Sequence, residues 1–390
     1  VHIVCVAGTR PNLVKLAPVL AELERQAIRT TFVDAAQHYD PALSSDLRAD
    51  LGLRDPDVGL ATGSGTHAEQ TARVMTAFEP VLADLQPDAT VVFGDVNTTL
   101  GCALVAAKVP VLVAHVEAGL RSGDPTMPEE VNRRAVDAVS HLLLAPSEEA
   151  VANLRAEGAP DAAVRLVGNT MVDSLRRGLP AARATDVRGR LALPEAYGVV
   201  TLHRPANVDD PARLGPLLRG LGELAADLPL VLPAHPRLQA RLGEQVPPGI
   251  TVVGALGYLD FLALEDGASV VLTDSGGVQE ETSALGVPCV TMRTTTERPV
   301  TILQGTNVLA GVQPDAIVAA AREALAGGRR EPAAIVGWDG AAAPRIVHAL
   351  VEALADGAVR EPEHPLLRSP RPEGRRGAAG RPSSSAPEAS

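Results

Sequence analysis

The stretch LTDSGGVQEETSALGVP, Leu272 to Pro288, decides the fold. An apolar run beginning at Ala268 stops at Asp-Ser-Gly-Gly, and a helix-like segment starts at once. A strand, a glycine turn and a helix in immediate succession form the repeating unit of a parallel, doubly wound layer. Such a junction offers free backbone N–H groups and the positive end of a helix dipole to an anion. Glu280 and Glu281 stand within a turn of that end. The ligand must therefore want amide donors for one group and a carboxylate for another.

The same alternation of short apolar runs and longer helix-period segments extends in both directions. In the first half, strands are expected at Ile3–Ala7, Thr31–Ala35, Thr90–Phe93, Val111–Val116, Leu142–Ala145 and Arg165–Val167. Helices are expected at Asn12–Arg25, His67–Leu85, Thr98–Lys108 and Glu129–Ser140. A second series starts near Gly198 with GVVTLH, LPLVLPAH, ITVVG, ASVVLTDS and VPCVTM. The polar join RRGLPAARATDVRGRLALPEAYG places a boundary near Leu179, so residues 1–178 and 179–339 read as two facing doubly wound α/β domains. Residues 361–390 are rich in Pro, Arg, Gly and Ser, lack apolar periodicity and are expected to be disordered.

Composition sets outer bounds. The chain has 390 residues, enough for two cores, and its hydrophobic fraction of 46% against 21% charged is that of a globular protein. Aromatics are only 2%, so the cores must be built from Val, Leu, Ile and Ala. A formal net charge of −12 argues against a broad grip on nucleic acid or an anionic membrane, and directs attention to local Arg and Lys in loops. No apolar run approaches the roughly 20 residues of a membrane span. The opening VHIVCVAGTRPN lacks the basic start of a secretory signal and reads as a first strand. Cys5, Cys102 and Cys289 lie in separate apolar stretches, which fits buried thiols, no disulfide framework and a reducing cytoplasm.

Four further loops carry chemistry. GTRPNLVK follows the first strand, with Gly8 for a tight turn, Pro11 at a helix start, and Arg10 and Lys15 as cations near the amides. In VFGDVNTTLG, Asp95 ends a strand just before a helix, where it is either a helix cap or a functional acid. AHVEAGLRSGDPTMPEEVNRR puts Glu117 directly after a strand, where burial is costly without partners, with Arg121 close by in sequence. Glu129 and Glu130 follow Pro128 at a helix start, where the dipole favours acids. TLHRPANVDD sets His203 and Arg204 after the first strand of the second half. Acids thus gather on the loops of the first half and anion-binding features on the second. Two such halves facing each other would set carboxylates against the sugar end of a bound nucleotide.

These residues resemble a known family. GTRPNLVKLAPV, QHYD, GDVNTTL, HVEAGLRSGD with MPEEVNRR, GNTMVDSL, HRPANVDD, AHPR, GYLDFL, TDSGGVQEE, TTERPVT and GTNVLAG are similar, in order, to the non-hydrolysing UDP-N-acetylglucosamine 2-epimerases from Val1 to Leu354. The resemblance implies a GT-B fold with the active site between two Rossmann-like domains, and a final helix over 340–358 crossing back to the first domain. It implies reversible inversion of C2 through loss of UDP, a 2-acetamidoglucal and re-addition. Asp95, Glu117, Glu129 and His203 match the catalytic positions. Ser275, Gly276 and Gly277 match a phosphate loop, Glu281 a ribose contact, and Arg10, Lys15 and Arg298 positions near the diphosphate or sugar. Gln37, Arg73 and His235 match parts of a region where many bacterial members bind a second, activating UDP-GlcNAc. No nicotinamide and no metal is implied, and family members are generally homodimers. Many members carry Glu where this chain has Asn12. Other readings weighed against this one are a hydrolysing relative releasing free N-acetylmannosamine, an epimerase of a modified UDP sugar, a glycosyltransferase on the same fold, and a non-catalytic nucleotide-sugar binder.

Overall fold

The structure is a computed structural model that describes residues 1–35, 41–243 and 245–357; Gln37 and the expected disordered tail lie outside the described residues. Seven strands form one sheet: β1 (His2–Ala7), β2 (Arg29–Asp34), β3 (Val58–Gly59), β4 (Ala89–Phe93), β5 (Leu112–Val116), β6 (Leu142–Ala145) and β7 (Val164–Leu166). Six more form a second: β8 (Gly198–Thr201), β9 (Leu230–Pro233), β10 (Ile250–Val253), β11 (Val270–Thr273), β12 (Cys289–Thr291) and β13 (Asn307–Leu309). Their orders are β3-β2-β1-β4-β5-β6-β7 and β10-β9-β8-β11-β12-β13, and every pairing is parallel. Both sheets therefore reverse their winding at one place, between β1 and β4 and between β8 and β11. Ligands of doubly wound sheets bind outside the carboxyl ends of the strands at these switch points.

Alternation along the strands divides the core. Ile3, Cys5 and Ala7 of β1 and Val91 and Phe93 of β4 enter one cluster, whereas Val4, Val6 and Val92 enter another on the opposite face. In the second sheet Val199 and Val271 join the first of these clusters, and Val200, Val270 and Leu272 face outward into a third. The central cluster is thus common to both lobes, and the strand ends are left to form the cleft. Burial on both faces explains why the strands read as unbroken apolar runs.

The strands missing from the sequence reading are β3 and β13, of two and three residues, too short to show a period. The break expected at Leu179 falls inside the helix Thr170–Arg183, and the sheet changes only between Leu166 and Gly198. The first of the polar residues taken for a linker, up to Arg183, belong to that amphipathic helix, whose inner face buries Met171, Val172 and Leu175. The last described helix, Ala342–Ala355, packs against the helix Arg10–Arg25 and β6. Asp173 caps it, accepting from Ala342 N at 3.1 Å and Ala343 N at 2.8 Å. All three cysteines are buried and free. No described helix is long and apolar enough to cross a membrane.

Candidate active site

The amino-terminal half of the site is built by the turns after β1, β4 and β5. Thr9 precedes the helix Arg10–Arg25 in extended conformation, and Pro11 fixes its first turn. One turn on, Lys15 is buried and forms an ion pair with Glu117. Glu117 has a φ of +72°, a conformation uncommon for a residue with a side chain. Its N–H and that of Ala118 are held by Leu144 O at 3.1 and 3.3 Å. Gly94 makes this approach feasible: it has a φ of +67°, and a Cβ there would stand 3.0 Å from Lys15 Nζ and 3.2 Å from Glu117 Oε2. Asn12 donates to Phe93 O at 2.9 Å, a bond that the Glu of other family members could make only when protonated.

Asp95 does not cap the following helix, since Val96 occupies the cap position. Its carboxylate instead meets Arg133 Nη2 at 2.7 Å and accepts from Arg133 Nε at 2.9 Å. Burial alone would raise the Asp95 pKa, but Arg133, Lys15 and Arg298 outweigh burial and the repulsion of Glu297, holding it below the ordinary value. Arg133 is itself anchored by the buried Glu130, at 2.7 Å, which also accepts from Ser122 N at 2.9 Å. Arg121 turns away from Glu117 to Asp137, at 2.7 Å, and Glu157, at 2.6 Å.

The second half comes from the turns after β8, β11 and β12. The buried Asp274 carboxylate accepts from His203 N, Arg204 N and Asn207 Nδ2, all between 3.0 and 3.2 Å, and lies 2.6 Å from His203 Nδ1. Burial pushes Asp274 up, but these donors, His203 first, hold its pKa below the ordinary value. It is therefore an acceptor, His203 Nδ1 carries the proton, and Nε2 remains on the half-exposed side of the ring. Ser275 stands at the cap of the helix Gly276–Leu285 with no side chain bonded to the first-turn amides. Gly276 is required by close packing, because a Cβ would stand 2.4 Å from Arg298 Nη1 and 2.6 Å from Glu297 Oε1.

Arg298 joins the two halves. Its Nη2 donates to Glu117 Oε1 at 3.2 Å, its Nε lies 2.8 Å from Glu280 Oε1, and its Nη1 binds Glu297. Glu297 also takes Arg293 at 2.7 Å, and despite burial Arg298 and Arg293 hold its pKa well below the ordinary value. Burial lowers the Arg204 pKa, and the repulsion of Arg293 adds to this against the attraction of Glu297, Glu129 and Asp274. An arginine short of counter-charge in a cleft is a site for an added anion.

Of the residues expected from sequence, Lys15, Glu117 and Arg298 form one ion-pair network around the switch points, and Asp95, paired with Arg133, lies near enough for the charges of Lys15 and Arg298 to act on it. His203, Ser275 and Gly276 line the opposite strand ends, and Glu129 lies close enough to act on the charge of Arg204. Arg10 reaches the second lobe through Leu256 O at 3.3 Å. Gly277 meets only Met171 at its Cβ position. Glu281 is buried beside Glu265. Arg73 donates to Ser64 O and Glu69 O on an exposed helix, and His235 precedes the helix Pro236–Leu242. Sequence reasoning missed Asp274, Arg133, Glu130, Glu280 and Glu297 as partners of the site. Asp274 had a usable signal as an acid at the end of an apolar strand, and Glu130 and Glu280 stood out only as acids near helix starts.

Two Rossmann-type lobes that share a buried network of paired cations and acids at their switch points define a GT-B enzyme acting on a nucleotide-linked substrate. The UDP-N-acetylglucosamine 2-epimerase family model matches residues 21–351, and the chain belongs to that family. A UDP-N-acetylglucosamine 2-epimerase of Methanocaldococcus jannaschii is 41% identical over 328 residues, covering 81% of this chain and 90% of the relative. A UDP-2,3-diacetamido-2,3-dideoxy-D-glucuronate 2-epimerase of Pseudomonas aeruginosa is 40% identical, covering 83% and 92%. The crystal structure of the M. jannaschii UDP-GlcNAc 2-epimerase in complex with UDP-GlcNAc and UDP superposes with a TM-score of 0.84 at 39% identity, over 90% of this chain and all of that one.

Proposed function

We propose that the cleft inverts C2 of UDP-N-acetylglucosamine to give UDP-N-acetylmannosamine, by loss and re-addition of UDP. The observation that carries this reading is the sharing of Glu117 between Lys15 of one lobe and Arg298 of the other. Both cations are placed to take a diphosphate, together with Arg204 and the amides after Ser275. Once they do, the Glu117 carboxylate is released from both partners and is free to meet the sugar.

In the forward step a carboxylate removes the C2 proton and the C2–H electron pair forms the C1=C2 bond. The C1–O bond breaks with its pair, which departs on UDP. On return the UDP oxygen bonds to C1, and a proton is delivered to C2 on the opposite face. Two faces need more than one acid/base, a role shared by Asp95, Glu117 and Glu129. His203, held by Asp274, faces the leaving phosphate. Lys15, Arg298 and Arg204 stabilise the charge that develops there. Asp95, kept anionic by Arg133, also suits the positive character at C1. Ser275 to Gly277 hold phosphate and Glu281 accepts from the ribose hydroxyls.

A second reading, epimerisation of a diacetamido uronate, is favoured by the P. aeruginosa relative, whose identity is nearly that of the archaeal one. The test is a panel of UDP sugars in deuterated water followed by NMR. C2 inversion with deuterium at C2 and UDP retained supports epimerisation, and the preferred sugar decides between the two readings. Free N-acetylmannosamine and UDP as the products would instead assign a hydrolysing enzyme. The setting we infer is a cytoplasmic homodimer, which light scattering of the purified protein checks for its oligomeric part.

A further inference from the structure

Behind Glu281 lies a second carboxyl that the mechanism above does not use. Glu265 sits on the helix Tyr258–Gly267 with none of its surface exposed, and neither carboxyl oxygen has an ordinary hydrogen-bond donor. Its helix packs against the helix Gly276–Leu285, which carries Glu281, and the Glu281 carboxyl lies near enough to act on that of Glu265. Among the described residues no cation pairs with either carboxyl, and Arg298 is given to Glu280, Glu297 and Glu117. The hydroxyl of Tyr258 has no partner either, and burial, followed by the neighbouring Glu281 and Glu265, pushes its titration well above the ordinary value. Two carboxyls this near within an apolar surround cannot both be ionised, so one proton bridges them. Glu281 keeps a sliver of exposed surface, 4%, whereas Glu265 has 0%, which makes Glu281 the rim member of the pair.

We propose that Glu265 is a positioning residue for the nucleotide: its protonated carboxyl donates to one oxygen of Glu281 and leaves the other aimed outward as acceptor for the vicinal ribose hydroxyls. The inference rests on the ribose role given to Glu281 above. Burial favours this division of labour, since the fully enclosed acid is the one that keeps the proton, and the neighbouring Glu281 raises it further. A donor fixed behind the acceptor also prevents the Glu281 side chain from turning inward.

The test is calorimetric binding of UDP and 2′-deoxy-UDP to the intact protein and to Glu265→Gln, Glu265→Leu and Glu281→Gln. The wild type is expected to prefer UDP, and Glu281→Gln to lose the preference. Glu265→Gln, whose amide still donates, should keep it. Glu265→Leu, similar in volume but without a donor, should lose about tenfold in UDP affinity with little change for the deoxy analogue. Equal weakening of both nucleotides by Glu265→Leu marks a merely structural role and overturns the proposal. So does an unchanged preference in Glu265→Leu when Glu281→Gln has lost it. A wild type that binds the two nucleotides equally overturns the ribose assignment of Glu281, and this proposal with it.

Discussion

His203 Nδ1 lies 2.6 Å from Asp274 Oδ1, and the same carboxylate accepts the backbone N–H groups of His203 and Arg204. Asp274 therefore fixes both the ring and the turn that presents it. Asp274→Asn is expected to lower kcat at least tenfold and to cost about 1–3 kcal/mol of stability, because buried donors lose a charged acceptor. Steady-state kinetics with denaturant unfolding checks both. A variant that kept native kcat would remove His203 from the reaction.

Asp95→Asn and Glu117→Gln should each reduce epimerisation by roughly 10²–10⁴, the usual weight of a positioned acid or base. UDP affinity is expected to be retained in both. In Glu117→Gln it should even rise, since Lys15 and Arg298 no longer have a competing carboxylate. Titration with UDP beside a turnover assay decides. Near-native turnover in either variant refutes its catalytic assignment, and a large loss of UDP affinity in Glu117→Gln refutes the exchange of cations.

Arg298→Met removes what is, among the described residues, the only cation joining Glu117, Glu280 and Glu297, and leaves the buried Glu280 without its ion pair. The expected loss is about 3–5 kcal/mol, as for a broken buried pair. Arg298→Lys should recover part of it, since a single ammonium cannot reach three carboxylates in fixed directions. Urea unfolding of the three proteins measures this.

Burial, opposed by Arg298 but reinforced by Glu117, pushes Glu280 up to about 7. Its ordinary value is 4.5, so the folded chain holds more protons than the unfolded one between these limits. This contribution to stability is complete below the unfolded value and is lost as pH rises through about 7. The midpoint of thermal unfolding of the unliganded protein should fall from about pH 6 to 8, and Glu280→Gln should flatten the fall. A midpoint that rises over this range contradicts the assignment.

Much of the scaffold was legible because parallel strands buried on both faces are continuous apolar runs, as in Ile3–Ala7 and Val270–Thr273. Glycine turns then mark their carboxyl ends. Short edge strands such as β3 left no period to read, and the amphipathic outer face of Thr170–Arg183 resembled a linker. Among the candidate site residues, Asp95 and Glu117 drew attention because they directly follow strands and Lys15 because it follows a glycine turn, whereas Arg298 came only from the family resemblance. Their pairing was not legible, because Arg298 meets Glu117 only once two lobes fold face to face, and sequence proximity favoured Arg121 instead. Glu130 looked like an ordinary helix-start acid, and only burial against Arg133 distinguishes it from the more open Glu129.

The bond between Glu117 and Arg298 has a consequence for selectivity against everyday anions. On the function proposed above, Glu117 holds the two cations that the phosphoryl groups would take, so an incoming anion must compete with it. A small inorganic anion engages too few donors at once to do so, whereas a diphosphate tethered at both its sugar and its nucleoside brings enough. An occupied seat thus acts as a filter, keeping the catalytic acid quiet until the right guest arrives.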